Sequence, residues 1–118
     1  MRQAPAIEAY GGGGFRVAGE RIEGSVLILE DKARPWPVAS LADLEPAHFD
    51  PVLAADRGAV EFVLLGLGPV MTPPPKVVRE ALRAAGLGLE VMDTVAAAKL
   101  YNVLASDGRR VAAALIAV

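Results

Sequence analysis

A chain of 118 residues with a formal net charge of −2, from 12 basic and 14 acidic side chains, offers no broad attraction for nucleic acid or an anionic membrane surface. It has no cysteine, which excludes disulfides, thiolate nucleophiles and cysteine-ligated metals and fits a reducing compartment. A hydrophobic share of 53% argues against disorder. At this length it suits a single domain, residues 1–118, whose core buries about two thirds of the unfolded surface.

Residues 1–5 read as a loose end. The start, Met1-Arg2-Gln3-Ala4-Pro5, lacks the apolar core of a signal peptide. The longest charge-free apolar run is far shorter than the roughly 20 residues a membrane-spanning helix needs. A soluble, cytoplasmic protein with no membrane insertion is expected.

Residues 6–10 suit a short strand, and Gly11 to Gly14 follow. A glycine cradle for an anion works when a helix N-terminus stands behind it. Here Phe15-Arg16-Val17 reads as extended, so a turn between strands is the favoured reading. Residues 15–17 and 21–23 flank Ala18-Gly19-Glu20 as a hairpin, with Phe15, Val17 and Ile22 on its apolar side. Gly24-Ser25 allows a bend before residues 26–29, a run with no polar member that should be covered on both faces. Glu30-Asp31-Lys32 closes that run as a polar turn.

Arg34-Pro35-Trp36-Pro37 is rigid and extended, because a proline on each side restricts the backbone around the only tryptophan. Arg34 and Trp36 form a candidate interface, since both residue types are common at interface hot spots. The plainer reading is a tryptophan lid on one end of the core. Phe49, Val52 and Leu53 have helical spacing, with Asp50 as N-cap and Pro51 at the first helical position. His48, the only histidine, reads as a surface residue.

The second half reads strand, helix, strand, helix, strand. Residues 62–65 are large and apolar without alternation, as in a strand buried on both faces. Gly66-Leu67-Gly68 ends it, and Pro69 blocks further pairing. Thr72 reads as N-cap of a helix entered through Pro73, with Val78, Ala81, Leu82 and Ala85 as its apolar stripe. Gly86 is its C-terminal glycine. Residues 87–92 form the next strand, parallel to the first. Asp93 and Thr94 are candidate N-caps of a helix over residues 95–105, whose apolar side is Ala97, Leu100, Tyr101 and Leu104. Asp107-Gly108 breaks it, and residues 111–116 form a last strand whose alanines allow a helix to approach closely.

No residue set demands a particular reaction. A dinucleotide fingerprint at Gly66 and Gly68, with Glu90 as ribose acid, is spoiled by Met71 at the third glycine position and by the prolines. No spacing pairs the carboxylates Asp31, Asp50, Asp56, Glu90, Asp93 and Asp107, and no His or Cys set builds a metal site. What remains is positional. Ligands of open α/β sheets sit beyond the carboxyl ends of parallel strands. That makes Gly66, Gly68, Thr72, Asp93 and Thr94 a candidate cleft, with two helix N-termini able to hold a small anion.

An ordered set of segments also carries a resemblance. It comprises Gly86-Leu87-Gly88-Leu89-Glu90-Val91-Met92-Asp93-Thr94, Ala98-Lys99-Leu100-Tyr101-Asn102-Val103-Leu104 and Asp107-Gly108-Arg109-Arg110-Val111-Ala112-Ala113-Ala114-Leu115-Ile116. With these go Ile7-Glu8-Ala9-Tyr10-Gly11 with Phe15, Gly24-Ser25-Val26-Leu27-Ile28, Trp36 and Leu64-Leu65-Gly66-Leu67-Gly68-Pro69. Together they resemble the family of mitochondrial NADH:ubiquinone oxidoreductase complex assembly factor 3 and its uncharacterised prokaryotic relatives. Lys99-Leu100 stands where that family usually has Arg-Thr, and Leu67 where Thr is common. The resemblance implies three layers around a central mixed, partly parallel sheet with an N-terminal hairpin portion. It implies a non-catalytic protein-interaction module without a cofactor, whose partners are respiratory complex subunits or assembly factors. It marks Tyr101, Asn102 and Arg109 as motif positions. The alternative is a ligand- or anion-binding protein or enzyme using the cleft at Gly66, Gly68 and Thr94. An exposed N-terminal strand leaves room for a homo-oligomer.

Overall fold

The tight turns set the first half of the chain. The computed structural model describes residues 4–118. Of the loose end expected at 1–5, residues 1–3 lie outside the described residues, and Ala4 and Pro5 carry no regular secondary structure. Strands β1 (Ile7–Gly11), β2 (Gly14–Val17) and β3 (Glu20–Glu23) form a small antiparallel sheet in that order. Gly12 and Gly13 turn the first hairpin, both with positive φ, and the Gly13 N–H donates to Val118 O at 2.9 Å. Of the four glycines, Gly12 and Gly13 make the turn, and Gly11 and Gly14 are the paired strand ends that it joins. Ala18 and Gly19, at φ 50° and 84°, turn the second hairpin in the sense that matches strand twist.

The larger sheet has the order β5-β4-β8-β6-β7, built from β4 (Ser25–Leu29), β5 (Lys32–Trp36), β6 (Phe62–Gly66), β7 (Gly88–Met92) and β8 (Val111–Leu115). β4 runs antiparallel to β5 and β8, while β6 runs parallel to both β7 and β8. The sheet is mixed and partly parallel, as expected. Arg34-Pro35-Trp36 lies in β5, one of its two edge strands.

Alternation along these strands splits the core in two. Leu27, Leu29, Val63, Leu65, Ala112 and Ala114 face one side, with Trp36, Phe49, Val52, Val78 and Leu82. Val26, Ile28, Leu64, Ala113 and Leu115 face the other, with Ile7, Phe15, Val17, Ala97, Ala98 and Tyr101. The first face is covered by α1 (Asp50–Ala54) and α2 (Lys76–Ala84). The second is covered by α3 (Thr94–Ser106) and the small sheet. This makes three layers, with strands buried on both faces, which is why residues 26–29 and 63–65 need no polar positions.

Two helix starts differ from expectation. α2 begins at Lys76, with Pro75 and not Thr72 before it. Thr72, Pro73 and Pro74 each precede a proline, and that residue is pushed out of the helical region. No helix can begin until the run ends. Asp50 does not cap α1 but is its first residue, because a 3-10 turn, Pro46–Phe49, leads straight into it. The C-terminus of α2 follows expectation. Gly86 N–H donates to Arg83 O and Leu87 N–H to Leu82 O, the paired bonds that close a helix on glycine, with Leu82 and Leu87 in one apolar cluster. No helix among the described residues is long and apolar enough to cross a membrane.

Candidate functional site

The carboxyl ends of β6 and β7 lie side by side, and α3 starts directly after β7. Asp93 caps α3, its Oδ1 accepting from the Ala96 N–H at 2.9 Å. Thr94, the next residue, is 0% exposed and turns inward. Its Oγ1 accepts from the Gly68 N–H at 2.9 Å and donates to Ile116 O at 2.7 Å. Its own N–H donates to Gly68 O at 2.8 Å. One side chain thus joins the segments following β6, β7 and β8. Gly66 completes the joint by having no side chain. A Cβ there would lie 2.9 Å from Thr94 Oγ1 and 3.0 Å from Leu115 Cδ2.

Gly66, Gly68, Asp93 and Thr94 therefore come together as the sequence suggests, but as a closed joint and not as an open cleft. The Thr94 hydroxyl is engaged as both acceptor and donor. Thr72 does not join them. It is exposed in the irregular segment before α2, whose first residue is Lys76.

The aromatic candidate is also resolved by burial. Trp36 is 4% exposed, its Nε1–H donates to His48 O at 2.9 Å, and its ring meets Phe49 edge-on at 5.5 Å. It is the lid of the first core and not an exposed anchor. Apolar neighbours on the sheet face and a carbonyl within reach make burial of indole favourable. Arg34 is exposed beside it on β5. His48 is half-buried, and its Nδ1 accepts from the Glu45 N–H at 3.0 Å.

The three motif positions lie apart. Tyr101 is buried against the small sheet in the second core. The Asn102 amide accepts from the Ile7 N–H at 2.8 Å and donates to Ile7 O at 2.9 Å, fastening β1 to α3. Arg109 sits at the opposite end of the parallel strands, its Nε donating to Glu61 Oε1 at 2.8 Å and its guanidinium 5.7 Å from the Phe62 ring centre. The Arg110 N–H donates to the other Glu61 oxygen at 2.9 Å. The Arg110 backbone bond and the Arg109 side chain hold the Glu61 carboxyl below its ordinary 4.5. Arg21 lowers Glu23 in the same way, through a hydrogen bond and its charge.

Two features had little sequence signal. Ser25 is buried, with Oγ donating to Val38 O at 2.5 Å and accepting from the Ala117 N–H at 2.9 Å. A polar residue opening a wholly apolar strand was its only mark. A shallow groove of about 250 Å³ lies between α2 and β7, lined by Arg79, Arg83, Leu87, Gly88 and Leu89. Another, of about 210 Å³, lies near Glu30, Ala59 and Arg110. Neither is lined by Gly66, Gly68, Asp93 or Thr94. Among the described residues, no group of three or more His, Asp or Glu side chains stands close enough to hold a metal ion.

A protein-family model described as Protein of unknown function (DUF498/DUF598) matches residues 7–116. The chain is similar to an uncharacterised protein of Rhodobacter capsulatus, 41% identical over 110 residues, covering 93% of this chain and 82% of that one. It is similar to NADH dehydrogenase (ubiquinone) 1 alpha subcomplex assembly factor 3 of Mus musculus, 32% identical over 114 residues, covering 97% of this chain and 61% of that one. The chain thus spans about three fifths of that mammalian relative. Among solved structures it is similar to the crystal structure of an outer membrane protein from Bartonella henselae. There the TM-score is 0.86 at 31% identity, over 98% of this chain and 96% of that one.

Proposed function

We propose that this chain, which belongs to the family described as Protein of unknown function (DUF498/DUF598), is a protein-interaction module with an assembly-factor-like role. It acts by binding and not by catalysis, and its partners are subunits or other assembly factors of NADH:ubiquinone oxidoreductase in the cytoplasm. The observation that carries this reading is the 32% identity to the murine assembly factor along 97% of the chain. The closed joint at Thr94 supports it, because the polar groups at the strand ends are spent on holding segments together.

Affinity capture of the tagged chain from its own cells, followed by native-gel analysis of the oxidoreductase in a deletion strain, tests the reading. The expected result is co-capture of oxidoreductase subunits or assembly factors and a loss of the fully assembled complex on deletion. An unaltered complex, with no such protein captured, overturns it.

A further inference from the structure

β7 ends the larger sheet, so one side of its backbone meets no strand. Met92 O accepts from the Leu67 N–H on the β6 side. In a parallel ladder, alternate residues face the same neighbour, so Gly88, Glu90 and Met92 aim their backbone groups at β6. Leu89 and Val91 aim theirs at the open edge.

The other edges are protected. β5 carries Pro35, which has no N–H, between the exposed Arg34 and the buried Trp36. In the small sheet, the backbone of Ile7 on β1 is occupied by Asn102. β3 is short and carries Glu20, Arg21 and Glu23. Prolines, charges and covering groups are the usual guards of sheet edges. β7 has only Glu90, and it is bordered by the groove that Arg79 and Arg83 line from α2. These arginines are exposed, one helical turn apart, and neither has an ion-pair partner among the described residues.

We infer that β7 is a docking edge for an extended segment of a partner protein with acidic side chains at alternate positions. The segment adds as a sixth strand, its backbone bonding to Leu89 and Val91. Every second side chain then falls on the α2 face, where its carboxylates meet Arg79 and Arg83. A second copy of this chain fits worse. An antiparallel pair joining Leu89 of one copy to Val91 of the other sets Glu90 opposite Glu90, at the shortest cross-strand spacing.

This deepens the interaction reading and rests on it. The test uses the purified, isotope-labelled chain and short acetylated peptides that alternate Val with Glu, alternate Val with Lys, or carry the same Val and Glu in blocks. The alternating Glu peptide is expected to bind best, more tightly at low salt, and to slow amide exchange at Leu89 and Val91. The double variant R79E/R83E, altered only at exposed side chains, should bind it about tenfold more weakly. No binding, binding indifferent to R79E/R83E, protection confined to other amides, or a peptide-free dimer that protects Leu89 and Val91 each overturns the inference. Partner capture undiminished in R79E/R83E would sink this edge while leaving the interaction reading intact. A wild-type chain that binds the peptide but captures no oxidoreductase protein would do the reverse.

Discussion

The side-chain amide of Asn102 engages both backbone polar groups of Ile7, accepting from its N–H at 2.8 Å and donating to its carbonyl at 2.9 Å. The two residues are 95 positions apart, and their bond ties the edge of the small sheet to α3. Asn102→Ala removes both bonds and should cost about 1–3 kcal/mol. Urea unfolding measures the loss, and amide exchange at Ile7 should speed up well before global unfolding. An unchanged midpoint would mean that pairing with β2 and apolar contacts hold β1 without Asn102.

Thr94→Val keeps the shape of the side chain and deletes the hydroxyl. The Gly68 N–H and Ile116 carbonyl then lose their buried partner. A loss of about 1–3 kcal/mol is expected, with Thr94→Ser recovering most of it. If Val and Ser variants unfold alike, the hydroxyl is not what closes the joint.

Gly66→Ala tests the same joint by volume. The new methyl would stand 2.9 Å from Thr94 Oγ1 and 3.0 Å from Thr94 Cα, the latter backbone that cannot step aside. Overpacking of this kind costs about 1–3 kcal/mol. Gly58→Ala is the control, since nothing lies within 4 Å of a Cβ there and its φ is outside the left-handed region. It should be neutral, or stabilising by up to about 1 kcal/mol through the unfolded chain. Equal effects at the two glycines would dismiss the close approach as the cause.

Glu61 should carry part of the acid sensitivity. Its folded carboxyl is held below 4.5 by the Arg110 backbone N–H and the Arg109 guanidinium. A depressed carboxylate contributes stability that is present above the unfolded value and is lost as pH falls through the folded one. The gap between wild type and Glu61→Gln should therefore be open at neutral pH and close below about 4.5. Chemical unfolding of both chains across that range checks it, and a gap independent of pH would count against the assignment.

Much of the architecture was legible in local chemistry. Apolar runs at residues 26–29 and 62–65 marked strands covered on both faces, and Ala18-Gly19 marked a hairpin. Gly86 marked a helix end. The proline run could have placed the start of α2 correctly, because the restriction on a residue before proline is local. Thr72 stands before the first proline of that run, whereas the last one, Pro75, sets where the helix begins.

The candidate site was legible only as a neighbourhood. Sequence periodicity brought β6 and β7 into parallel and put Gly66, Gly68, Asp93 and Thr94 at one rim. It could not say whether that rim was open, because the partners of the Thr94 hydroxyl lie 26 and 22 residues away. The same holds for Trp36, whose burial depends on Phe49 arriving over it, and for Ser25, whose partners are Val38 and Ala117. Turn chemistry, proline restriction and apolar period act over a few residues, so the order and kind of elements follow from the sequence by itself. Which polar groups meet, and which strand edge stays open, is settled when distant segments pack. Those bonds form only once the sheet has fixed its register, and the tertiary structure alone decides them.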